Sequence, residues 1–286
     1  MILVTGATGH LGTTVLQTLL QKTPATQVAA LVRDERKTAA VQAQGVSIRP
    51  GSYDDPAALR RALYGIEQVL LISGGGEDDA LQGHQNVVDA ARQAGVQCLA
   101  YTGRALKDPG NLANQLMARH FQTEDYIKAS GLPHIIFRNT LYMDVLPIFT
   151  GPNVLETGIS LPTGQGKVAF ALRADMGEAI ANVLLERNFT TRTYHFTGPD
   201  AYSFDDVAAA LTEASGKKVA YTPVEAATFA AGMKQRGVPE IAIERTIGFL
   251  TDIKHCQEAQ VSTDLATALG RPPTSLVEGI KQLYNL

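Results

Sequence analysis

Only two cysteines, Cys98 and Cys256, occur among 286 residues, and no Cys-x-x-Cys pair exists. A disulfide framework and a cysteine-ligated metal site are therefore excluded, and two reduced thiols suit a cytoplasmic protein. No Lys/Arg run is long enough to track a phosphate backbone, and 25 basic against 28 acidic residues leave a net charge of −3. Nucleic acid is accordingly not an expected partner. Long apolar runs are missing as well. Gly, polar or charged residues interrupt every stretch before the roughly 18 residues of a membrane span. Met1 runs straight into Ile2-Leu3-Val4-Thr5-Gly6, without the basic segment and apolar stretch of a secretory leader. The expectation is a cytoplasmic protein without a membrane partner. There is no G-x-S-x-G elbow, no G-x-x-x-x-G-K-S/T loop, no H-E-x-x-H and no calcium loop, and the six histidines show no ligand spacing. No metal is expected.

With 45% apolar residues, the chain can bury a large core without a staple. Short β-rich runs at Ile2–Thr5, Val28–Val32, Val46–Arg49, Gln68–Ile72, Gln97–Tyr101 and His134–Phe137 alternate with segments of three- and four-residue apolar spacing. Those segments lie near 10–22, 35–43, 55–63, 79–94 and 113–130; Val87, Val88, Ala91 and Val96 after Leu81 are one example. Continuous apolar strands separated by helices predict right-handed crossovers and an α/β fold, a doubly wound parallel sheet of Rossmann type. Ligands then sit beyond the carboxyl ends of the strands. From about residue 139 Pro and Gly punctuate the chain and the periodicity fades. The expected organisation is a dinucleotide-binding domain over 1–138 and a smaller, mostly helical substrate lobe over 139–286. Parts of that lobe, about 167–198, would return to the core, with a strand near Val168–Leu172 and another at Thr193–Phe196. Asp175 with Glu178, and Ser203 with Asp206, read as helix caps. Helices are expected near 204–215, 225–236, 239–253 and 274–284. Ile241, Ile247, Phe249, Leu250 and Ile253 would pack inside the lobe or form a homodimer face.

Gly6-Ala7-Thr8-Gly9-His10-Leu11-Gly12 follows the first strand directly and opens the first helix. In that position the first glycine permits the turn, the second lets the backbone approach a pyrophosphate and the third lets helix and strand pack closely. N–H groups at the helix start then meet the phosphates. The second strand ends Leu31-Val32-Arg33, with Arg36 and Lys37 one turn on. A cation there suits the 2′-phosphate of NADPH, which a guanidinium grips bidentately. Asp34 is the counter-argument: if it faces the ribose, NADH serves instead. Arg36 and Lys37 could equally form a solvated helix face.

Val4 to Gly12, Leu31-Val32-Arg33, Leu70-Leu71-Ile72-Ser73-Gly74, Ala100-Tyr101-Thr102-Gly103, His120 with Thr123-Glu124, and Phe137-Arg138-Asn139 with Tyr142 together resemble the NmrA-like atypical short-chain reductases. Within these the chain is most similar to type 2 NAD(P)H:quinone oxidoreductases and triphenylmethane dye reductases. The resemblance runs over nearly the whole chain. It implies that the Gly6–Gly12 loop holds the pyrophosphate and Arg33 the 2′-phosphate. It further implies that Ser73-Gly74 and Tyr101-Thr102 face the ribose and nicotinamide, and that Asn139 to Tyr142 form the nicotinamide pocket. At the adenine end the chain departs from its relatives, with Ser52 where they often carry Asp.

None of the nine tyrosines has Lys four residues on, so the Tyr-x-x-x-Lys pair of carbonyl-reducing relatives is absent. An acceptor whose reduced form is a stable anion, or which starts as a cation, needs no strong acid; quinones and triarylmethyl cations qualify. His120 could donate a proton, having an ordinary pKa near neutrality, or could simply be packed. Tyr142 and Asn139 follow strand six on the expected ligand rim. Arg138 could instead pair with a carboxylate. The expected function is NADPH-dependent hydride transfer to a quinone or similar conjugated acceptor. The alternative is an NADP-sensing regulator that binds a protein partner and turns nothing over.

Overall fold

The computed structural model describes residues 1–34, 36, 42–74 and 80–286. The strands arise where side chains are buried on both faces. β1 (Ile2–Val4), β2 (Val28–Val32), β3 (Ser47–Pro50), β4 (Gln68–Leu71), β5 (Cys98–Arg104), β6 (His134–Asn139) and β8 (Arg192–Phe196) form one parallel sheet in the order β3-β2-β1-β4-β5-β6-β8. Alternation along each strand divides the core in two. Ile2, Val4, Ala30, Leu70, Ala100 and Phe137 face one side, where α1 (His10–Lys22), α7 (Arg173–Leu185) and α11 (Asp264–Leu269) cover them with residues such as Leu16, Ile180 and Leu265. Leu3, Leu31, Val69, Leu99 and Ile136 face the other, under α2 (Pro56–Ala62), α3 (Ala80–Gln93) and α4 (Ala118–Ala129). Each fully buried aliphatic side chain contributes roughly 1.5–3 kcal/mol. The chain changes direction across the sheet between β1 and β4, where connections to either side part and leave a crevice.

A third core belongs to the remainder of the chain. Phe170, Phe204, Leu250 and Ile280 meet there, brought by α8 (Phe204–Ser215), α10 (Glu240–Lys254) and α12 (Leu276–Tyr284) beside the short α5 (Leu146–Thr150), α6 (Val154–Thr157) and α9 (Ala226–Gln235). Leu250 and Ile253 are fully buried in it, whereas Ile241 is exposed. A two-stranded parallel sheet, β7 (Ile159–Leu161) with β9 (Tyr221–Pro223), closes one side. Among the described residues no helix is long and apolar enough to cross a membrane.

Several expectations change. Val168–Leu172 is buried throughout but forms no strand; Val168 bridges Tyr202 and Ala171 bridges Tyr142 as isolated pairs. Its apolar run reflects burial in the lobe core rather than a ladder. Asp175 does not cap its helix, which begins at Arg173 after Leu172 with no side-chain cap. Its carboxylate reaches instead to the backbone N–H of Thr274 at 2.7 Å and to Arg271 at 2.8 Å, and Glu178 takes the same guanidinium at 2.6 Å. Ser203 and Asp206 do form a reciprocal capping box. β5 runs three residues further than expected and β6 two, which turns Arg104 and Asn139 into strand ends. The small β7/β9 sheet and α11 are structure that periodicity did not signal. The helix expected over 35–43 lies mostly outside the described residues.

Candidate active site

The loops that leave β1, β2, β3 and β4 enclose a cleft of about 440 Å³ at the crevice, walled on one side by Ala80, Gly83 and His84 of α3. Gly6 has φ +56°, a left-handed turn that a β-carbon disfavours. A side chain at Gly12 would run into the Gly6 carbonyl, so only glycine lets α1 start this close to β1. Gly9 precedes α1 with no side-chain cap, and no acidic residue stands in the first turn. The first backbone N–H groups of a helix have no intrahelical partner, and here they and the helix dipole meet the cleft, in which Asp54 is the one lining carboxylate among the described residues.

Seven of the residues singled out from sequence line this cleft: Gly6, Thr8, Gly9, Arg33, Ser52, Ser73 and Gly74. His10 is exposed at the helix start, Leu11 is packed in the core below and Gly12 is buried. Lys37 lies outside the described residues. Beside Arg33, Asp34 is engaged by Arg36, whose Nε–H and Nη2–H reach its two carboxylate oxygens at 2.9 and 3.1 Å. The acid that argued for NADH is thus turned to a neighbouring cation.

Sequence reasoning missed two wall residues. Tyr53 carries its phenol to the carbonyl of Ile72 at 2.8 Å and lies 2.5 Å from the Thr5 hydroxyl, tying the loop after β3 to the ends of β1 and β4. His84 accepts from the Gly74 N–H at Nε2, 3.2 Å, so its proton resides on Nδ1, which faces the Thr123 hydroxyl at 2.9 Å. Burial pushes the His84 imidazole down to about 4, keeping it neutral. A lone helical histidine gives no such signal in sequence, because its partners come from β4 and α4.

Further along the carboxyl edge, the other predicted residues gather over β5 and β6. Thr102 receives the Ser73 N–H at 2.9 Å and so joins the cleft to this region. Tyr101 is fully buried, and its phenol lies 3.0 Å from Nδ1 of His120. His120 differs from expectation: burial, the Arg104 guanidinium and His84 push its imidazole down to about 3. At neutral pH it carries no spare proton, so it is not a general acid of ordinary pKa. Asn139 donates to the Tyr142 hydroxyl at 3.3 Å, while its Oδ1 and the neighbouring Thr140 Oγ1 are buried without a partner among the described residues. Arg173 stacks 4.8 Å over the Tyr142 ring and pairs with Asp144. Arg138 pairs bidentately with buried Glu124, at 3.0 and 2.6 Å, which makes it a structural cation. Arg104, unsuspected from sequence, forms a buried ion pair with Glu258 and lies over the Phe249 ring. Burial raises the Glu258 carboxyl while Arg104 opposes it. Among the described residues no group of three or more His, Cys, Asp or Glu could hold a metal.

The sequence profile of the NmrA-like family matches residues 1–277. Quinone oxidoreductase 2 of Escherichia coli strain K12 is 36% identical over 287 aligned positions, which cover 100% of this chain and 99% of that protein. Among solved structures, NADPH-dependent quinone oxidoreductase from Escherichia coli complexed with NADPH superposes with a TM-score of 0.93 at 35% identity, covering 100% of both chains. The triphenylmethane reductase of Citrobacter sp. complexed with NADP(H) superposes with a TM-score of 0.91 at 36% identity, covering 99% of this chain and 100% of that one.

Proposed function

Since the chain belongs to the NmrA-like family, we propose that it is an NADPH-dependent oxidoreductase that passes hydride to a quinone or a similar conjugated acceptor such as a triarylmethane dye. The observation that carries this reading is the cleft itself, in which an uncapped, acid-poor helix start and Arg33 share one wall while Asp34 is held by Arg36. An anion with a second phosphate fits that donor set better than a bare ribose diol. The quinone oxidoreductase and triphenylmethane reductase reported above are described as NADPH-dependent or complexed with NADP(H), which supports the same choice.

Bound in the cleft, NADPH supplies the hydride. Gly6, Thr8, Gly9 and the first turn of α1, His10 to Gly12, would hold its pyrophosphate, and Arg33, with Lys37 as a second cation, its 2′-phosphate. Ser73 and Gly74 would border its ribose. The unpartnered Oδ1 of Asn139 suits a carboxamide N–H, which supports a nicotinamide end over β5 and β6, near Tyr101 and Thr102. Tyr142 and His120 would then face the acceptor. The Tyr-x-x-x-Lys proton donor is missing from the sequence, and His120 is neutral, so the residues over β5 and β6 position and exclude water rather than deliver a proton. An acceptor that is stable as an anion after reduction fits that environment.

The test is absorbance at 340 nm with NADPH or NADH, with and without a simple quinone and a triarylmethane dye. Acceptor-dependent oxidation that favours NADPH is expected. Tight NADPH binding with no acceptor consumed would replace this reading with the NADP-sensing one.

A further inference from the structure

β4 ends at Leu71, and the next three residues, Ile72, Ser73 and Gly74, line the cleft. Each of their backbone N–H groups is taken by a side chain from a different element. Thr5, just past β1, accepts from Ile72 at 3.0 Å; Thr102 on β5 accepts from Ser73 at 2.9 Å; His84 on α3 accepts from Gly74 at 3.2 Å. The bonds at His84 run in one direction only, because both ends of the chain they form are backbone groups. A backbone N–H can only donate, so Nε2 accepts and the proton of the neutral ring is on Nδ1. Nδ1–H meets the Thr123 hydroxyl at 2.9 Å, and that hydroxyl donates its own proton to the Arg119 carbonyl at 3.0 Å. The protein alone also fixes the plane of the ring. It is wedged between Tyr53 and Tyr101, with ring centroids 6.1 and 5.6 Å away. Asn86 donates to the Tyr53 carbonyl at 2.9 Å, and a side chain at Gly83 would meet the Tyr53 β-carbon at 2.9 Å, so α3 lies tight against the loop after β3.

We infer that His84 is a positioning residue for the dinucleotide: with Thr5 and Thr102 it occupies every backbone N–H of residues 72–74, so that this wall of the cleft offers a ligand carbonyl oxygens and the Ser73 hydroxyl, and takes ribose hydroxyls rather than phosphates. The inference rests on the NADPH reading above and adds which wall meets which part of the cofactor. Phosphate oxygens need donors, and those stand at the start of α1 and on Arg33. Ribose hydroxyls need acceptors, which a stretch of backbone with all its N–H groups engaged can supply. Two of the three clamps are threonine hydroxyls held at strand ends. His84 is the third, carried on a helix, and Thr123 sets which of its nitrogens faces Gly74. Without Nε2 the Gly74 N–H loses its partner beside the cleft, and the wall loses both its shape and its acceptor character.

The experiment uses the full chain. Long-range ¹H–¹⁵N correlation spectra with ¹⁵N-labelled histidine at pH 7, assigned by the loss of signals in His84→Gln, should show a protonated Nδ1 and an unprotonated Nε2 at His84. Calorimetry with NADP⁺ and NAD⁺ reads the role. His84→Leu should weaken both about tenfold and keep their ratio within about twofold, because the ribose hydroxyls at this wall are common to both. His84→Gln, whose amide oxygen can accept from Gly74 and whose amide N–H can reach Thr123, should stay within about twofold of the wild type. Thr123→Val removes the acceptor of Nδ1–H without changing a residue of the cleft lining, and should weaken both nucleotides about threefold. An Nε2–H ring or an imidazolium in the wild type overturns the inference. So does unaltered affinity in both His84→Leu and Thr123→Val. A loss confined to NADP⁺ in His84→Leu overturns it too, since that would put the 2′-phosphate at this wall. A wild type that binds neither nucleotide overturns the NADPH reading and the role with it, whereas a wild type that binds both leaves the variants to judge the role alone.

Discussion

The two ends of the sheet's carboxyl edge are made of different material. Over β1 to β4 the site is mostly backbone: a left-handed glycine, a close helix–strand approach and uncapped N–H groups, with Arg33, Tyr53 and His84 as side-chain walls. Over β5 and β6 it is side chains brought from far apart, such as Arg104 with Glu258, 154 positions away, and Tyr101 with His120. A backbone site is encoded within a few consecutive residues and tolerates change around it. A side-chain site depends on the lobe being folded against the sheet, and it is where specificity can diverge while the dinucleotide cleft stays the same.

The largest effect should come from the side-chain end. Glu258→Ala leaves the Arg104 guanidinium buried without a counter-charge, which should lower stability by about 3–5 kcal/mol in urea unfolding. Replacing both partners with Met should recover most of that loss. A small effect of the single change would show that this end is as tolerant as the other. At the backbone end, Arg33→Ala should weaken NADPH binding roughly tenfold and leave NADH binding nearly unchanged, measured by calorimetry. Equal losses would remove the 2′-phosphate from the cleft.

Acidification separates the ends more gently. His84, pushed down to about 4 in the folded protein, takes a proton near its ordinary 6.5 when unfolded. Its contribution to stability is whole above pH 6.5 and declines as pH falls from there toward 4. Melting temperatures across that window should drop less steeply in His84→Gln than in the wild type. An identical slope would show that His84 is not the group responsible. The smallest effect should be that of Arg36→Ala. Because the Arg36–Asp34 pair is exposed, its loss should improve NADH binding by no more than roughly twofold.

The same contrast explains how much could be read from sequence. Continuous apolar runs and the spacing of Gly6, Gly9 and Gly12 are local signals, and they led to the sheet, its crossovers and the cleft. Tyr53 and His84 carry no local signal, since their partners Thr5, Ile72, Gly74 and Thr123 meet them only after folding. Asp175 has the local pattern of a cap, yet Thr274 and Arg271 compete for its carboxylate and win. Val168–Leu172 looks like a strand because burial on all sides gives the same apolar run with or without a ladder. Lys37 falls outside the described residues.

The sheet face covered by α1, α7 and α11 bears on how the protein is made. Two of those helices, and β8 at the sheet's edge, come from beyond residue 172. A ribosome that has released β6 has already built the glycine loop and six strands, but of the three helices over the face that holds Val4, Ala100 and Phe137 only α1 has been made. At about 5–20 residues per second, α7 follows only after several seconds. For that interval the nascent chain offers an apolar surface that a chaperone can shield, whereas refolding of the finished chain has every covering segment at hand from the start.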